Sequence, residues 1–355
     1  MLKSILYLTP KLNHYKFRQL NLLGKQYFID ILSGYNETEI QDNNLRSVNE
    51  LRIDKNKFSH DKRVRQFLRK YHNNYDFILV PFEKKFLTLI VYAKILKIFS
   101  KKRFCLITHN HPLPKSGFGN EITAFIAYNL LYDKVIFYTE NSCQWAISER
   151  LIPAKKAFWA NNTIDEKEII VHKKDRQNPL SPPRLLMIGR LLEYRWIDRL
   201  MDYYSELKKN VPTIELHVIG DGPEKYKIEE AQKRISDIHY HGMLIDEMGI
   251  APIFNEVDFV FIPGHSGLSI NHSFAYGKPY ITSQDYTNHP PEYSYLKDGV
   301  NSIILTGNQA TDIEKIREYI TDKEKYAFLR NGAIETATKL SIKNWVKQMQ
   351  CALDL

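Results

Sequence analysis

The residues best suited to chemistry lie in one stretch, from Gly264 to His272, which follows the apolar run 258–263. That run predicts a buried strand, and Gly277 predicts the end of a helix. In doubly wound folds a strand, a turn of small residues and a helix form an anion site, because backbone N–H groups and the helix dipole face the ligand. The sequence therefore predicts a phosphate site at Ser266, Gly267 and Leu268.

Two arginines further upstream carry the charge that such a ligand requires. The segment 184–190 reads as a strand and a turn that ends in Arg190, and Arg195 follows it. Two cations at this spacing can project toward a diphosphate, and a guanidinium can hold phosphate oxygens through two parallel hydrogen bonds. The alternative is surface pairing with Glu193 or Asp198.

Two histidines stand at the end of another predicted strand, 103–109. His109 ends the strand and His111 comes two residues later. Ligands of open α/β sheets bind at the carboxyl ends of strands, so both histidines are candidates for a catalytic site. The alternative is a structural role, with the rings hydrogen-bonded to loop backbone.

The order "FIP…SGLS…FAYGKPYI…PPE…YLKDGVNSIIL" resembles the donor-binding half of glycosyltransferases of the GT-B fold. It is most similar to family 4, the retaining, glycogen-synthase-like group, and the similarity extends over Pro183–Ser302. The resemblance implies an α/β protein with two Rossmann-like domains that face each other across a cleft.

The resemblance also implies roles for individual residues. It assigns the nucleotide base to Met243 and Leu244, and it supports a site role for His109. Two glutamates that the family usually has are replaced here by Gly264 and His272. We expect a ring nitrogen of His272 to bind the ribose. The contact to the donor sugar would then pass to His265, Asn271 or Glu292, and we count Glu292 with the two histidines as a candidate catalytic residue.

The implied reaction is retaining transfer of a sugar from a nucleotide diphosphate to a hydroxyl of a cell-surface glycan, with a leaving phosphate oxygen taking the acceptor's proton. The chain has no Asp-x-Asp motif, so we expect no metal and no cofactor. The alternatives are a non-catalytic module of this fold that binds nucleotide sugar or an anionic polymer, and a sugar-nucleotide epimerase or phosphorylase-type enzyme. The latter would need a clustered set of carboxylates or a cofactor lysine that no motif position supplies.

Domain organisation follows from composition. The segment 166–183 is mostly charged and ends in turns rich in Pro and Ser, as expected of a domain connection. We predict an acceptor-side domain over 1–170, a nucleotide-sugar domain over 171–340, and a C-terminal helix over 341–355 that packs back on the first domain.

Charge is divided unevenly between the two halves. Residues 1–175 carry 29 Lys and Arg against 17 Asp and Glu, a net +12, whereas the remainder is net −3. This asymmetry favours an anionic partner such as a lipid-linked oligosaccharide acceptor or an anionic membrane surface. The basic helix predicted over 83–99 could lie on that surface, or it could be an ordinary crossover helix. Nucleic acid is disfavoured, because no aromatic-basic RNA motif is present.

Cys105, Cys143 and Cys351 lie far apart and indicate neither zinc nor a disulfide framework. With no signal peptide and no membrane-length apolar window, we expect a cytoplasmic protein that can associate with the inner face of the membrane.

Overall fold

The computed structural model of the protein describes residues 2–37, 44–100, 104–110, 118–284 and 289–354. The chain forms two compact units. The first comprises residues 1–165 together with 342–355, and the second comprises residues 166–341.

The first unit is built on a seven-stranded parallel sheet of order β3-β2-β1-β4-β5-β6-β7. Side chains of the central strand β1 alternate between two cores: Ile5 and Tyr7 enter one, and Leu6 and Leu8 enter the other. Burial on both faces explains why its sequence is continuously apolar. The strands are β1 (Ser4–Thr9), β2 (Phe28–Ser33), β3 (Ser47–Glu50), β4 (Phe77–Leu79), β5 (Cys105–Asn110), β6 (Lys134–Phe137) and β7 (Ala157–Trp159).

Helices cover both faces of this sheet. The fourth helix continues into a π-helical turn, Ala127–Leu131. The helices of this part of the chain are α1 (His14–Leu23), α2 (Lys62–Tyr71), α3 (Leu87–Ile98), α4 (Phe118–Ile126) and α5 (Glu140–Ser148).

The second unit has a six-stranded parallel sheet of order β10-β9-β8-β11-β12-β13. Its strands are β8 (Arg184–Ile188), β9 (Glu215–Ile219), β10 (Ile238–Tyr240), β11 (Phe259–Phe261), β12 (Tyr280–Ser283) and β13 (Ser302–Leu305). Its helices are α6 (Lys167–His172), α7 (Ile197–Asn210), α8 (Lys225–Arg234), α9 (Glu247–Glu256), α10 (Leu268–Ala275), α11 (Gln309–Thr321) and α12 (Lys323–Lys339).

The predicted fold class is confirmed: two parallel sheets with alternating helices form the α/β architecture of the GT-B fold. The short strands β3 and β7 and the helices α4 and α6 carry no periodicity strong enough to predict them from sequence. α6 lies in the segment interpreted as a bare connection, so this segment contains a helical turn as well as coil.

The C-terminal helix α13 (Ile342–Asp354) belongs to the first unit. Polar contacts hold it at its middle and near its C-terminus: Asn161 donates its backbone N–H to Gln348, and Lys134 Nζ donates to the carbonyl of Ala352 at 2.7 Å. Its apolar stripe enters the same core as Ile5 and Tyr7 and consists of Trp345, Val346, Met349, Ala352 and Leu353.

Removing the largest of these side chains should unfold the first unit more easily. We expect Trp345→Ala to lower the free energy of unfolding by about 3–5 kcal/mol, as for a buried aromatic residue that leaves a cavity. Lys347→Ala is the matched control, because Lys347 is exposed on the same helix. Chemical denaturation of both variants measures the difference, and equal stability of the two would show that α13 does not brace this core.

Candidate functional site

The candidate site lies at the point where the strand order of the second sheet reverses, between β8 and β11. Strand β8 is followed by α7 and leads outward to β9, whereas β11 is followed by α10 and leads the other way to β12. The turns that follow these two neighbouring strands therefore diverge and leave a crevice at their carboxyl ends. Every residue that the sequence assigned to the donor phosphates lies in or next to these two turns.

Close backbone packing shapes the first turn. Gly220 has a φ of +149°, and a Cβ at this position would lie 1.9 Å from the carbonyl oxygen of Gly189. No side chain fits there, so the chain after β9 can lie directly against the chain after β8. The contact is held by backbone hydrogen bonds from Gly189 to Ile219 and from Leu191 to Asp221, both 2.9 Å long.

A second backbone contact joins the two turns across the switch point. Gly264 donates its N–H to the carbonyl of Arg195, and His265 donates to that of Tyr194, at 3.2 and 2.9 Å. A Cβ on Gly264 would lie 2.3 Å from the Tyr194 carbonyl oxygen. Gly264 therefore replaces the family's first glutamate for a steric reason: no side chain fits where the two turns meet.

Trp196 occupies the position at which the family usually has glycine, and it keeps the conformation that favours glycine. Its φ of +59° and ψ of +53° lie in the left-handed region, which is strained for a bulky side chain. The indole is flanked by the Arg199 guanidinium, 4.6 Å from the ring centroid. The turn that carries Arg195 thus has the shape the motif predicts even though the residue differs.

Arg195 reaches from the first turn to the second. Its Nη1 donates to the carbonyl of His265 at 2.6 Å. Its Nε is buried and has no hydrogen-bond partner among the described residues. A buried guanidinium N–H without an acceptor is costly, and the oxygen of an anionic ligand would satisfy it. Arg195 therefore lies between the two turns, and its role in phosphate binding stays a prediction.

Arg190 differs from Arg195 in being exposed at the rim of the first turn. In the described part of the chain it forms no ion pair, so pairing with Glu193 or Asp198 is not seen; Asp198 instead pairs with Lys227 at 2.5 Å. The long side chain can therefore reach a ligand in the crevice.

In the second turn, some polar groups hydrogen-bond within the protein and others face the crevice. Ser266 is buried: its N–H donates to His289 Nδ1 at 3.1 Å, and its hydroxyl donates to the Gly264 carbonyl at 2.9 Å. Ser266 therefore shapes the turn, and the other two residues of the predicted phosphate site are Gly267 and Leu268. These two residues begin α10, where backbone N–H groups lack intrahelical acceptors.

The residues predicted to contact the donor sugar surround this turn. Glu292 is buried in the helical turn Pro291–Tyr295, and its Oε2 lies 3.8 Å from where a Cβ on Gly267 would be. The His265 ring packs at a tilt against Tyr194, with ring centroids 4.9 Å apart, and burial together with the nearby Arg195 lowers the pKa of His265. Asn271 is buried on α10. The structure thus brings Glu292 and His265 to the phosphate turn.

His272 is half-buried and faces a carboxylate that the sequence reading missed. Its Nε2 lies 2.8 Å from Oε1 of Glu247, and Tyr276 donates its hydroxyl to Oε2 of the same residue at 2.7 Å. Burial alone would raise the pKa of Glu247, but His272 and Tyr276 lower it below its ordinary value. A ribose contact would therefore fall to the other nitrogen of His272 or to Glu247 itself.

Glu247 restores an acid near the position of the family's second glutamate, from a different element. It occupies the first turn of α9, which is capped by Asp246 through a 2.7 Å hydrogen bond to the Gly249 N–H. The Asp-Glu pair after the predicted base-binding residues is a helix-start signal. This signal could have located the start of α9 in the sequence, but only the fold shows that Glu247 meets His272.

Met243 and Leu244 lie in the loop between β10 and α9. Met243 is exposed and Leu244 is half-buried, the loop also exposes Ile245, and Met248 is exposed in the first turn of α9. These apolar side chains lie beyond the carboxyl end of the edge strand, as a base-binding segment requires.

Of the two candidate histidines of the first unit, His109 lies among the described residues. His109 is the penultimate residue of β5, in register with Ile136 on β6, so it lies at the carboxyl edge of the first sheet. His111 lies outside the described residues. A separate cavity of about 190 Å³ opens at the switch point of this sheet, between the ends of β1 and β4, and includes Lys11 and Tyr138 in its lining.

A larger cavity of the second unit, about 890 Å³, lies away from the crevice, beside α6 and α9. Its arginines are already paired: Arg176 with Asp258 at 2.7 Å, and Arg184 with Glu215 and Glu256. We therefore assign the candidate site to the crevice, where Arg195 has a donor without an acceptor.

Fold and crevice together define a glycosyltransferase-like protein of the GT-B fold, which confirms the recognition made from the sequence. The profile of the family described as "Glycosyl transferases group 1" matches residues 182–322, the region that carries the crevice. No curated protein sequence matches the chain.

Solved structures share the fold over nearly the whole chain. Sucrose-phosphate synthase from Thermosynechococcus elongatus superposes with a TM-score of 0.71 at 14% identity, covering 98% of each chain. HepE of Anabaena, in complex with UDP and glucose, gives 0.65 at 15% identity and covers 99% of both chains. The E. coli structure described as trehalose-6-phosphate bound with UDP-2-fluoro glucose gives 0.69 at 12% identity, covering 99% and 98%.

The steric origin of Gly264 can be tested directly. We expect Gly264→Ala to destabilise the protein by about 1–3 kcal/mol, because the new methyl group must displace the backbone of the Tyr194–Arg195 turn. Gly249→Ala is the matched control, because Gly249 lies within α9 and its Cβ would meet only side-chain atoms, the nearest at 3.3 Å. Denaturant midpoints of both variants measure the difference, and an unaffected Gly264→Ala would disprove the steric explanation.

Proposed function

We propose that the protein is a retaining glycosyltransferase that uses a UDP-sugar and extends a cell-surface glycan, including one carried on a lipid. The observation that carries this proposal is the crevice at the switch point of the second sheet. There Arg195, the start of α10 and Glu292 converge within the segment that matches group 1 glycosyl transferases. The choice of uridine is supported by similar structures that contain UDP or a UDP-sugar.

The proposed chemistry follows from the charges in the crevice. The bond between the anomeric carbon and the phosphate oxygen breaks, and negative charge develops on the departing diphosphate. Arg195, Arg190 and the N-terminus of α10 would stabilise that charge, which is the main electrostatic requirement of the step. The acceptor oxygen bonds to the same face of the anomeric carbon, and its proton passes to the leaving phosphate oxygen. We propose that these protein groups do the work that a metal ion does in other transferases.

Removing either arginine of the proposed diphosphate site should lower the affinity for UDP. Arg190→Ala and Arg195→Ala should each weaken UDP binding by about 1.5–3 kcal/mol, which is the contribution of a hydrogen bond to a charged group. Isothermal titration calorimetry measures this effect, and adding EDTA to the same titration and to a turnover assay should change neither result.

The matched control for this experiment is Arg234→Ala. Arg234 is an exposed guanidinium in the last turn of α8, before β10 begins, and so lies at the opposite edge of the sheet. Equal UDP affinity in all three variants would remove both arginines from the site. Binding of UDP-sugar without transfer or hydrolysis in a donor and acceptor panel would instead favour the non-catalytic module.

An apolar surface on the first unit supports a membrane-associated acceptor. α3 buries Leu89, Ile90 and Ala93 in the core, so the crossover-helix interpretation holds for that face. The other face also exposes apolar side chains, which recur every three to four residues at Leu87, Val91, Ile95 and Ile98, and Phe99 follows directly after the helix. A helix that is apolar on all sides is expected only where a second apolar environment covers the outer face.

A neighbouring helix continues this surface. α3 contacts the π-helical turn 127–131 that follows α4, and this region exposes Ile122, Phe125, Ile126 and Leu130. We propose that an anionic bilayer covers both helices, because the half of the chain that carries them is net +12. Within the described part of the chain, no helix is long and apolar enough to cross a bilayer.

The structure changes how the charge contributes to this proposal. Lys85 is paired with Glu83 at 2.6 Å, and Lys94 and Lys97 both approach Asp133. Lys101 and Lys102 lie outside the described residues. Because several of these lysines are partly neutralised, apolar insertion should supply a larger share of the binding than the basic sequence alone indicated.

Liposome flotation tests the membrane proposal. The triple variant with Ile95, Ile98 and Phe99 changed to Ser should bind anionic vesicles about tenfold less or weaker still, because each buried large apolar side chain contributes about 1.5–3 kcal/mol. Reversing Lys84, Lys85, Lys101 and Lys102 to Glu should also reduce binding, since each lysine at an anionic surface contributes about 1 kcal/mol that fades with salt.

The control is Phe328→Ser, which removes an equally exposed aromatic side chain from α12 of the second unit. UDP affinity should be unchanged in every one of these variants. If the wild-type protein ignores anionic vesicles at low salt, the acceptor is a soluble one.

A further inference from the structure

A cluster of three histidines and a glutamate lies outside the candidate site, on one face of strands β9 and β10. Glu215 and His217 are two residues apart on β9, and His217 is in register with His239 on β10. His241 follows two residues after His239. Because alternate residues of a strand share a face, all four side chains project to the same side of the sheet.

The atoms of this cluster have the spacing of metal ligands. Ligand atoms of Glu215, His217 and His239 all lie within 4.8 Å of one another. His217 Nε2 lies 3.5 Å from Glu215 Oε2. Two ligands of a tetrahedral zinc ion, each bound at about 2.1 Å, are separated by about 3.4 Å. No other group of this kind occurs among the residues that the structure describes.

The hydrogen bonding around His217 leaves its inner nitrogen without a satisfactory partner. Nδ1 lies 3.0 Å from His241 Nε2, so one of these nitrogens donates to the other. If His217 donates, the lone pair on its Nε2 faces a carboxylate oxygen, and two acceptors oppose each other. If His217 accepts, its Nε2–H points at an oxygen 3.5 Å away, beyond the usual hydrogen-bond range of about 2.7–3.2 Å. His217 Nε2 is buried, and no described residue satisfies it.

A cation between His217 and Glu215 resolves both arrangements. In that state Nε2 binds the ion, and Nδ1–H donates to His241. An imidazole ligand that gives its second N–H to a neighbouring acceptor is the usual arrangement around protein-bound metals, because it fixes the tautomer and the ring orientation.

Charged neighbours leave the cluster net negative. Arg184 donates to Glu215 at 2.6 Å and to Glu256 at 2.8 Å, so one guanidinium is shared by two carboxylates. The Arg184 bond is made to Oε2 of Glu215, the oxygen that His217 Nε2 approaches at 3.5 Å, so it holds this carboxylate beside His217. The remaining negative charge favours a cation.

We propose that Glu215, His217 and His239 bind one transition-metal ion of the zinc type, and that His241 positions His217. Imidazole ligands favour Zn²⁺ and its neighbours Co²⁺, Ni²⁺ and Cu²⁺ over Mg²⁺ or Ca²⁺, which favour oxygen ligands. With three protein ligands, water would complete the coordination.

The consequence is structural and independent of the proposed transfer reaction. β10 is a three-residue edge strand, Ile238–Tyr240, and its carboxyl end leads directly into the loop with Met243 and Leu244. An ion shared by β9 and β10 would attach this short strand to the sheet and fix the start of that loop.

Zinc itself is the probe for the test. The full-length chain, carrying no polyhistidine tag, is stripped with chelator, purified again and titrated with Zn²⁺ by calorimetry. We expect one equivalent to bind per chain and the midpoint of thermal unfolding to rise reversibly. His217→Ala and His239→Ala should each weaken binding about 100-fold or more, whereas His241→Phe should weaken it about 10–100-fold at unchanged stoichiometry. His60→Ala, which removes an exposed histidine of the first unit, is the control.

A second readout keeps the test valid if a variant is poorly folded. Co²⁺ replaces Zn²⁺, and its visible absorption should show tetrahedral coordination in wild type and His60→Ala but not in His239→Ala, whose far-UV circular dichroism reports folding. Absence of stoichiometric Zn²⁺ binding to wild type would overturn the proposal. Binding that survives in both His217→Ala and His239→Ala would overturn it equally, since the ion would then lie elsewhere.

Discussion

The candidate site depends on close contact between backbone segments. The turn after β8 and the turn after β11 are joined by hydrogen bonds from Gly264 and His265 to Arg195 and Tyr194. This contact requires a glycine at 264, and it brings the Arg195 guanidinium to the start of α10. The cation and the helix N-terminus then act on the same small volume, although they come from strands on opposite sides of the switch point.

The same contact explains the two departures from the family pattern. A glutamate cannot occupy position 264 while the turns touch, so in the proposed function the sugar contact would come from another element, and Glu292 is buried beside Gly267. At position 272 the lost acid is compensated differently, because His272 meets Glu247 from α9. Loss of motif residues in this chain therefore does not mean loss of polar groups from the crevice; it means that other elements supply them.

The two units differ in the charged and apolar groups on their surfaces. The second unit concentrates anion-binding groups at one sheet edge, and its histidine cluster lies on a sheet face bordering the base-binding loop. The first unit carries the excess positive charge and an α3 that is apolar on both faces. A donor that is a small anion and an acceptor held at a charged apolar surface would place these different demands on the two halves of one chain.

The sequence by itself determined the fold class, most strands and the helices with strong periodicity, because buried parallel strands read as short apolar runs and glycines mark their turns. It also predicted that Arg195, Gly267 and Leu268 lie near one another, because residues that follow neighbouring strands must share one edge of the sheet; the structure places all three in the two turns that border the crevice. Only the tertiary structure decided that Ser266 serves the turn, that Glu247 faces His272, and that His217 faces Glu215 with no adequate hydrogen bond. These facts depend on contacts between residues 23 to 25 positions apart, Ser266 with His289, Glu247 with His272 and His217 with His241, and on steric exclusion at Gly264. Local pattern carries no information about either.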